Sequence, residues 1–389
     1  MDYGIIIIGG GPAGLSTALH LQRMAPHLTS RILILEKARY PRSKLCAGAL
    51  VVDAEVLLER LCLDVSEVPH VDAANIQFDF EGSGLNFRMG KRHTLRIIRR
   101  DEFDNWLAIK TVNKGIEIRE GMTVKNIIPD KDDGVTIETD QETFHAQVVV
   151  GADGSNGITR RCIFPNATVY TARLLEVLTP AYSYPSSPKP LSLGAGREQV
   201  AYFDFFPVPN NIAGYVWDFP TQVGGELMRC WGIYDTNILA KANRPQLKEP
   251  LDKEMARLGF SLGDYELKGH PIRWFSPENQ MSVPRVLLVG DAAGADPLLG
   301  EGISIALGYG SLAAREIAES FQRNDFSFNG YRRRVVGSAL GRSLLVRWAI
   351  TQMIYPFKWK WFQILLWRFW KPALNFIAKR FVLNWGKRI

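Results

Sequence analysis

The chain opens on an apolar run, Tyr3–Ile8, which breaks at a glycine cluster and resumes with helical spacing from about Pro12 to Met24. A second apolar run, Arg31–Leu35, ends on Glu36. Strand, turn, helix and strand within about 35 residues make a βαβ unit. Shorter β-rich runs follow at Ile116–Arg119, Thr123–Ile128, Gly134–Glu138 and Gln147–Gly151. From 166 to 275 the pattern changes to period-two alternation rich in aromatics and prolines, as in Ala201–Phe206 and Gly214–Phe219, which predicts a mainly antiparallel sheet. Arg285–Gly290 again reads as a buried strand, with a helix after it through about Ser320. There is no internal repeat, and the low-complexity content is a short Ser/Pro stretch near 180–190. The expected class is α/β, α+β overall: a Rossmann-type nucleotide-binding domain from 1–165 and 276–330, an inserted sheet domain over 166–275, and a helical tail over 331–389.

Composition narrows the classes. With 389 residues and 46% hydrophobic content, the chain is globular and long enough to bury a core without staples. Cys46, Cys62, Cys162 and Cys230 form no CxxC pair, which fits a reduced, cytosolic setting better than a disulfide framework. Six scattered His give no metal-site spacing, so no metal is expected. Residues 3–22 lack charge but contain the glycine turn and follow no basic segment, which argues against a signal peptide. A membrane span needs roughly 20 apolar residues, and none is present; the chain is expected not to be secreted.

Charge is distributed unevenly. Of 47 Lys plus Arg, 13 lie after Asp325, where there is no acidic residue, so the remaining 34 face 40 Asp plus Glu in the body. The net +7 is therefore a body of −6 and a tail of +13, and the tail also holds six of the ten Trp. A helical projection of Lys358–Lys371 puts Phe362, Leu365, Leu366, Phe369 and Trp370 on one side, opposite Lys360, Gln363 and Lys371. Packing on the protein's own body is one reading. The other, favoured by the Trp and the flanking cations, is an in-plane helix on an anionic membrane at its cytoplasmic side, through residues 331–389. Leu365, Leu366 and Ile354 suit lipid better than nucleic acid, so no nucleic-acid partner is expected.

Candidate chemistry begins at Gly9-x-Gly11-Pro12-Ala13-Gly14. The first glycine permits a tight turn, the second a close backbone approach to a pyrophosphate, and the third close helix–strand packing, with free N–H groups at the helix start. Glu36, with Lys37 after it, lies where a carboxylate accepts ribose hydroxyls. Dinucleotide binding follows. Three further segments resemble the group A flavoprotein hydroxylase superfamily: Arg100-x-x-Phe103-Asp104-x-x-Leu107; Gly151-Ala-Asp153-Gly154; and Gly290-Asp291-Ala292-Ala293 with Pro297 and Gly300-Glu301-Gly302-Ile303. The resemblance implies FAD. Asp291 then accepts from ribityl hydroxyls or caps the helix expected to start near Ala292–Gly294, and N–H groups around Gly300–Gly302 face the flavin. For Arg100 a surface salt bridge is an equal alternative, and for Asp153 a plain turn role.

Pro41-Arg-Ser-Lys44-Leu-Cys46-Ala47-Gly48 resembles the P-x-x-K-x-C-G-G segment of geranylgeranyl reductases, and Gly214-Tyr215-Val-Trp217-Asp218-Phe219-Pro220 resembles their Y-x-W-x-F-P segment. Ala47 in place of the first glycine and the charge at Asp218 are departures. The resemblance implies hydride transfer from reduced flavin to an isoprenoid or prenylquinone C=C bond, with NADPH, ferredoxin or a quinol as external reductant and an electron-donor protein as a candidate partner. Cys46, Tyr215 and Trp217 are the catalytic candidates. Cys46 is either a small buried hydrophobe or a thiolate favoured by Arg42 and Lys44. The rival readings are a monooxygenase of a lipophilic quinone or aromatic, and a flavin electron relay. A halogenase is less well matched, since the W-x-W-x-I-P segment of that branch reads Tyr-Val-Trp-Asp-Phe-Pro here.

Overall fold

The computed structural model describes residues 2–89, 92–130, 132–181, 200–239 and 244–389; most of the Ser/Pro stretch lies outside them. The opening strand and helix form at Tyr3–Ile8 and Pro12–Met24, as the apolar pattern places them. Nearly every side chain of the strand, and the helix from Pro12 to Leu21, is buried. That burial explains why neither segment carries a charge before Arg23. Parallel strands Val286–Leu288, Thr143–Gly151, Tyr3–Ile8, Ile32–Glu36 and Glu117–Glu120 lie side by side in this order. Val124–Asp130 and Gly134–Thr139 extend the sheet as an antiparallel meander from Thr143–Gly151. The doubly wound nucleotide-binding sheet is thus assembled from both ends of the chain.

After Val286–Leu288 the chain does not enter a helix. It makes a short 3-10 turn, Gly290–Ala292, and an irregular loop, and the long helix starts only at Ile303, running to Arg323. The small residues Ala292, Ala293 and Ala295 are buried as loop, not as a helical face. Asp296 fixes that loop by accepting from the backbone N–H groups of Leu298 at 2.7 Å and Leu299 at 3.2 Å.

The second sheet has the order Lys268–Arg273, Thr171–Pro180, Glu226–Asp235, Gly214–Val223, Val200–Asp204, Asn75–Phe80 and Ser83–Phe87. It is antiparallel except where Val200–Asp204 meets Asn75–Phe80 in parallel. Two of its strands therefore come from residues 75–87, so the sheet is not confined to 166–275. Period-two alternation gives it two apolar faces. One carries Phe203, Tyr215, Trp217, Phe219 and Tyr234. The other carries Val216, Trp231 and Ile233 against Leu251 and Met255 of the helix Lys248–Ala256.

The tail folds as helices Tyr331–Gly337, Ala339–Ile354, Lys360–Phe369 and Lys371–Ile377, followed by a π-turn at Ala378–Val382. Part of the tail packs on the protein's own body, as one of the two readings expects. Gln363, expected on the solvent side, is 1% exposed, and Leu366 and Trp367 beside it join the aromatic sheet's core. Gln363 is satisfied by donating to the Phe357 carbonyl at 2.9 Å and accepting from Trp367. The end of the chain returns to the first domain, where Asp53 accepts from the N–H groups of Asn384 and Gly386 and Trp385 is buried. Trp359, Trp361, Phe369, Trp370, Phe376 and Phe381 remain exposed. Among the described residues, no helix is long and apolar enough to cross a membrane.

Candidate active site

A cavity of about 740 Å³ lies between the two sheets. At one end it meets the glycine turn. Gly9 has φ +107°, and a Cβ there would stand 2.4 Å from the Ala152 carbonyl oxygen, so only glycine fits. Gly14 does not reach the cavity; a Cβ on it would meet the Gly9 carbonyl oxygen at 2.1 Å, which is the packing role given to the third glycine. Gly11, Pro12 and Ala13 present the start of the first helix to the cavity. Glu36 is buried beside them and accepts from the N–H groups of Gly10 at 2.8 Å and Ala38 at 3.0 Å. Lys37 lines the same wall.

Across the cavity stand Asp153, Gly154, Asp291, Gly300, Gly302 and Ile303. Asp153 accepts through Oδ2 from the N–H and hydroxyl of Thr159, at 2.8 and 3.0 Å, and its Oδ1 is buried without a partner among the described residues. It therefore holds the turn and also has acceptor capacity to spare. Asp291 accepts from Ser155 Oγ at 3.2 Å and faces the cavity. It does not cap the long helix, whose N-cap is Gly302. Gly290 and Pro297 sit behind the wall: Gly290 has φ +58°, and the Pro297 carbonyl accepts from Tyr234. A backbone turn at a helix start, a ribose-side carboxylate, a second carboxylate opposite and open glycine backbone fit a dinucleotide that carries a polar ring edge.

Between the ends lies an ionic belt. Arg100 is buried, not on the surface, and makes a paired contact with Asp104, both bonds 2.8 Å. Arg42 reaches the same carboxylate at 3.2 Å and Glu36 at 3.4 Å. Lys44 Nζ donates to His270 Nε2 at 2.6 Å. Burial and the Lys44 cation push His270 down to about 4, so its ring is neutral and can accept. Arg42 and Lys44 are thus engaged elsewhere, and at Cys46 burial works against the thiolate reading: it pushes that thiol up, against the opposing pull of Arg100 and the Gly48 N–H. Cys46 and Ala47 both line the cavity.

The far end is the aromatic wall. Trp217 lies over Gly232, where a Cβ would stand 2.0 Å from its ring. Tyr215 is committed through its hydroxyl to the Leu299 carbonyl, which ties the wall to the Gly300–Gly302 turn. The charge at Asp218 points to the sheet's other face and is matched by Arg229 at 2.7 Å. Ala378, Val382 and Leu383 of the tail close the lining. Sequence reasoning missed several participants. His270 and Glu176 carried no motif. Arg347, counted as tail charge, is 1% exposed and grips Asp296 at 2.5 Å while donating to the Val382 carbonyl at 3.0 Å. Among the described residues no cluster could hold a metal ion.

Such a cradle defines a flavin-type dinucleotide site joined to an apolar chamber. The profile of the FAD binding domain family matches residues 2–222, and the chain belongs to that family as a geranylgeranyl-reductase-like, FAD-dependent oxidoreductase. It is 30% identical over 337 residues to an uncharacterized protein of Methanosarcina barkeri, covering 85% of this chain and 79% of that one. It is 26% identical over 374 residues to the digeranylgeranylglycerophospholipid reductase of Thermoplasma volcanium, covering 90% and 87%. A geranylgeranyl bacteriochlorophyll reductase-like protein from Thermoplasma acidophilum has the same fold, with TM-score 0.74 and 21% identity over 91% of this chain and 87% of its own. Flavin-dependent halogenases share that fold at 20% identity or less, a likeness that speaks to fold and not to reaction.

Proposed function

We propose that the protein saturates C=C bonds in the chain of an isoprenoid lipid, a geranylgeranyl-type chain or a prenylquinone side chain, while attached to the cytoplasmic face of a membrane. One observation carries this reading: the cavity that begins at the glycine turn continues without a break into an apolar chamber lined by Phe203, Trp217, Phe219 and tail residues Val382 and Leu383. The Gly9–Gly14 turn would hold the diphosphate of FAD, Glu36 its ribose, Asp291 its ribityl chain and the Gly300–Ile303 backbone its ring edge. Bound FAD, once reduced, supplies a hydride equivalent. The chain's own contribution is a dry chamber that orients the alkene, and a thiol at Cys46 kept protonated by burial, in reach of the cavity as a proton source. A transient external reductant, whether NADPH, ferredoxin or a quinol, recharges the cofactor.

Attachment is supported by seven exposed aromatics on the tail, Phe357 included, beside Lys371, Lys379, Arg380 and Arg368. The helices need not be detachable for this; they present rings outward while the opposite face packs on the body. The test is mass spectrometry of prenyl lipids incubated with photoreduced enzyme under anaerobiosis. Saturation of the chain supports the reading. Unchanged lipid without oxygen, and hydroxylated product with it, would replace it by the monooxygenase reading.

A further inference from the structure

Glu176 stands on Thr171–Pro180, on the face that looks into the cavity, and is the carboxylate of an otherwise aromatic and aliphatic stretch of that wall. It is 5% exposed, and Oε2 has no hydrogen-bond partner among the described residues. No cation is dedicated to it. Its cross-strand neighbours are Gly232 and Lys268, and Lys268 pairs with Glu266 at 2.9 Å. Arg99 pairs with Asp101 at 3.7 Å. The backbone N–H of Cys46 and the thiol of Cys230 lie on the side of the carboxyl where they favour its charged form. Burial outweighs the pull of Arg99, Cys46, Cys230 and Lys268 and pushes Glu176 up to about 7. Glu176 in turn pushes the Cys46 thiol up, while Arg100 on its other side pulls it down.

We propose that Glu176 holds the proton that re-arms Cys46 during alkene reduction. This rests on the reductase reading. As one alkene carbon takes a hydride, the Cys46 S–H bond breaks and its proton forms a C–H bond at the neighbouring carbon; the electron pair stays on sulfur beside Arg100. The Glu176 O–H bond then breaks, its proton returns to sulfur, and the carboxylate regains a proton from solvent. Glu176 acts through Cys46 and is a positioning residue. Burial explains why an acid, not an amide, is needed: a carboxyl poised near neutrality can both give and recover a proton.

The experiment compares wild type with Glu176→Gln and Glu176→Asp in the FAD-loaded full chain, with flavin content and melting temperature confirming that each folds. Alkylation of Cys46 by iodoacetamide, followed across pH by peptide mass spectrometry without lipid, is the first readout. Its midpoint is expected to move to lower pH in E176Q, because a negative neighbour is removed, and to return towards wild type in E176D. Infrared spectra are expected to show a protonated carboxyl band that fades as pH rises through about 7 and is missing in E176Q. Turnover in E176Q is expected to fall about a hundred-fold, the low end of general-acid contributions, with the wild-type decline above about pH 7 flattened. An unmoved Cys46 midpoint, or an unchanged pH profile in E176Q, overturns the proposal. If the thiol shifts as expected but no lipid is reduced by wild type, the reductase reading fails and takes the relay with it; if lipid is reduced and the thiol is indifferent to Glu176, the relay alone fails.

Discussion

At the cofactor end of the cavity the chain works mainly with backbone: glycines that no side chain can replace, a helix start, and two carboxylates on strand ends. At the apolar end it works with side chains gathered from strands near residues 203, 217 and 234 and from a tail more than a hundred residues later. The two ends meet at the loop Asp296–Gly302. Tyr215, Tyr234 and Tyr355 donate to carbonyls of that loop, and Arg347 grips Asp296. The lesson is that the cofactor cradle is not self-sufficient. The tail and the aromatic wall hold one side of it in place.

Breaking that joint should have the largest effect. Arg347→Ala leaves Asp296 buried and uncompensated, and such a break costs about 3–5 kcal/mol; chemical denaturation should show it, with flavin released at the same time. Stability unchanged in this variant would mean the tail does not support the cradle. Next comes the cradle itself. Gly9→Ala puts a Cβ against the Ala152 carbonyl at a φ of +107°, a cost of about 3 kcal/mol from backbone conformation and overpacking together. Purified protein should be depleted of FAD by its visible spectrum.

Changes at the wall should separate the ends. Trp217→Leu should retain flavin yet weaken kcat/KM for long prenyl chains by about 1–3 kcal/mol, the scale on which an apolar pocket discriminates. Flavin loss instead would show that the wall belongs to the cradle. A smaller effect is expected from pH at the belt. His270 titrates at about 4 when folded, below its ordinary 6.5. The unfolded chain therefore binds that proton first, so this group's contribution is lost as pH falls from 6.5 through about 4. His270→Asn should flatten that part of the stability profile, and Lys44→Met should raise the histidine's midpoint by NMR. Smallest in the folded state is the pair Trp361→Ser and Trp370→Ser, each exposed and expected to change stability by less than about 0.5 kcal/mol. Flotation with anionic liposomes should nonetheless fall; equal flotation would remove these rings from the membrane account.

The contrast between the ends also explains what could be read from sequence. The Gly9–Gly14 turn and Glu36 were legible because backbone geometry restricts residue type at fixed spacing, and the Gly300–Ile303 segment because it resembles a flavoprotein motif. Trp217 and Phe219 were legible because a strand puts alternate side chains on one face. Gln363 was misplaced because helical projection knows polarity and not partners: a glutamine with a carbonyl to bond can face a core. Arg347 was counted with the solvated charges because its partner Asp296 lies 51 residues earlier. The long helix was placed too early, near Ala292 instead of Ile303, because small apolar residues pack as well in a loop as in a helix. Glu176 and His270 gave no signal at all; each gains meaning only from the cavity that tertiary packing creates around it.

The most direct test of the central claim is an anaerobic single turnover. Photoreduced enzyme is mixed with a geranylgeranyl lipid, and flavin reoxidation is followed alongside the lipid's mass. The account predicts one C=C bond saturated for each flavin reoxidised, with a fully saturated analogue leaving the flavin reduced. Flavin that stays reduced in the presence of every prenyl lipid, and reoxidises only when oxygen is admitted, would contradict it.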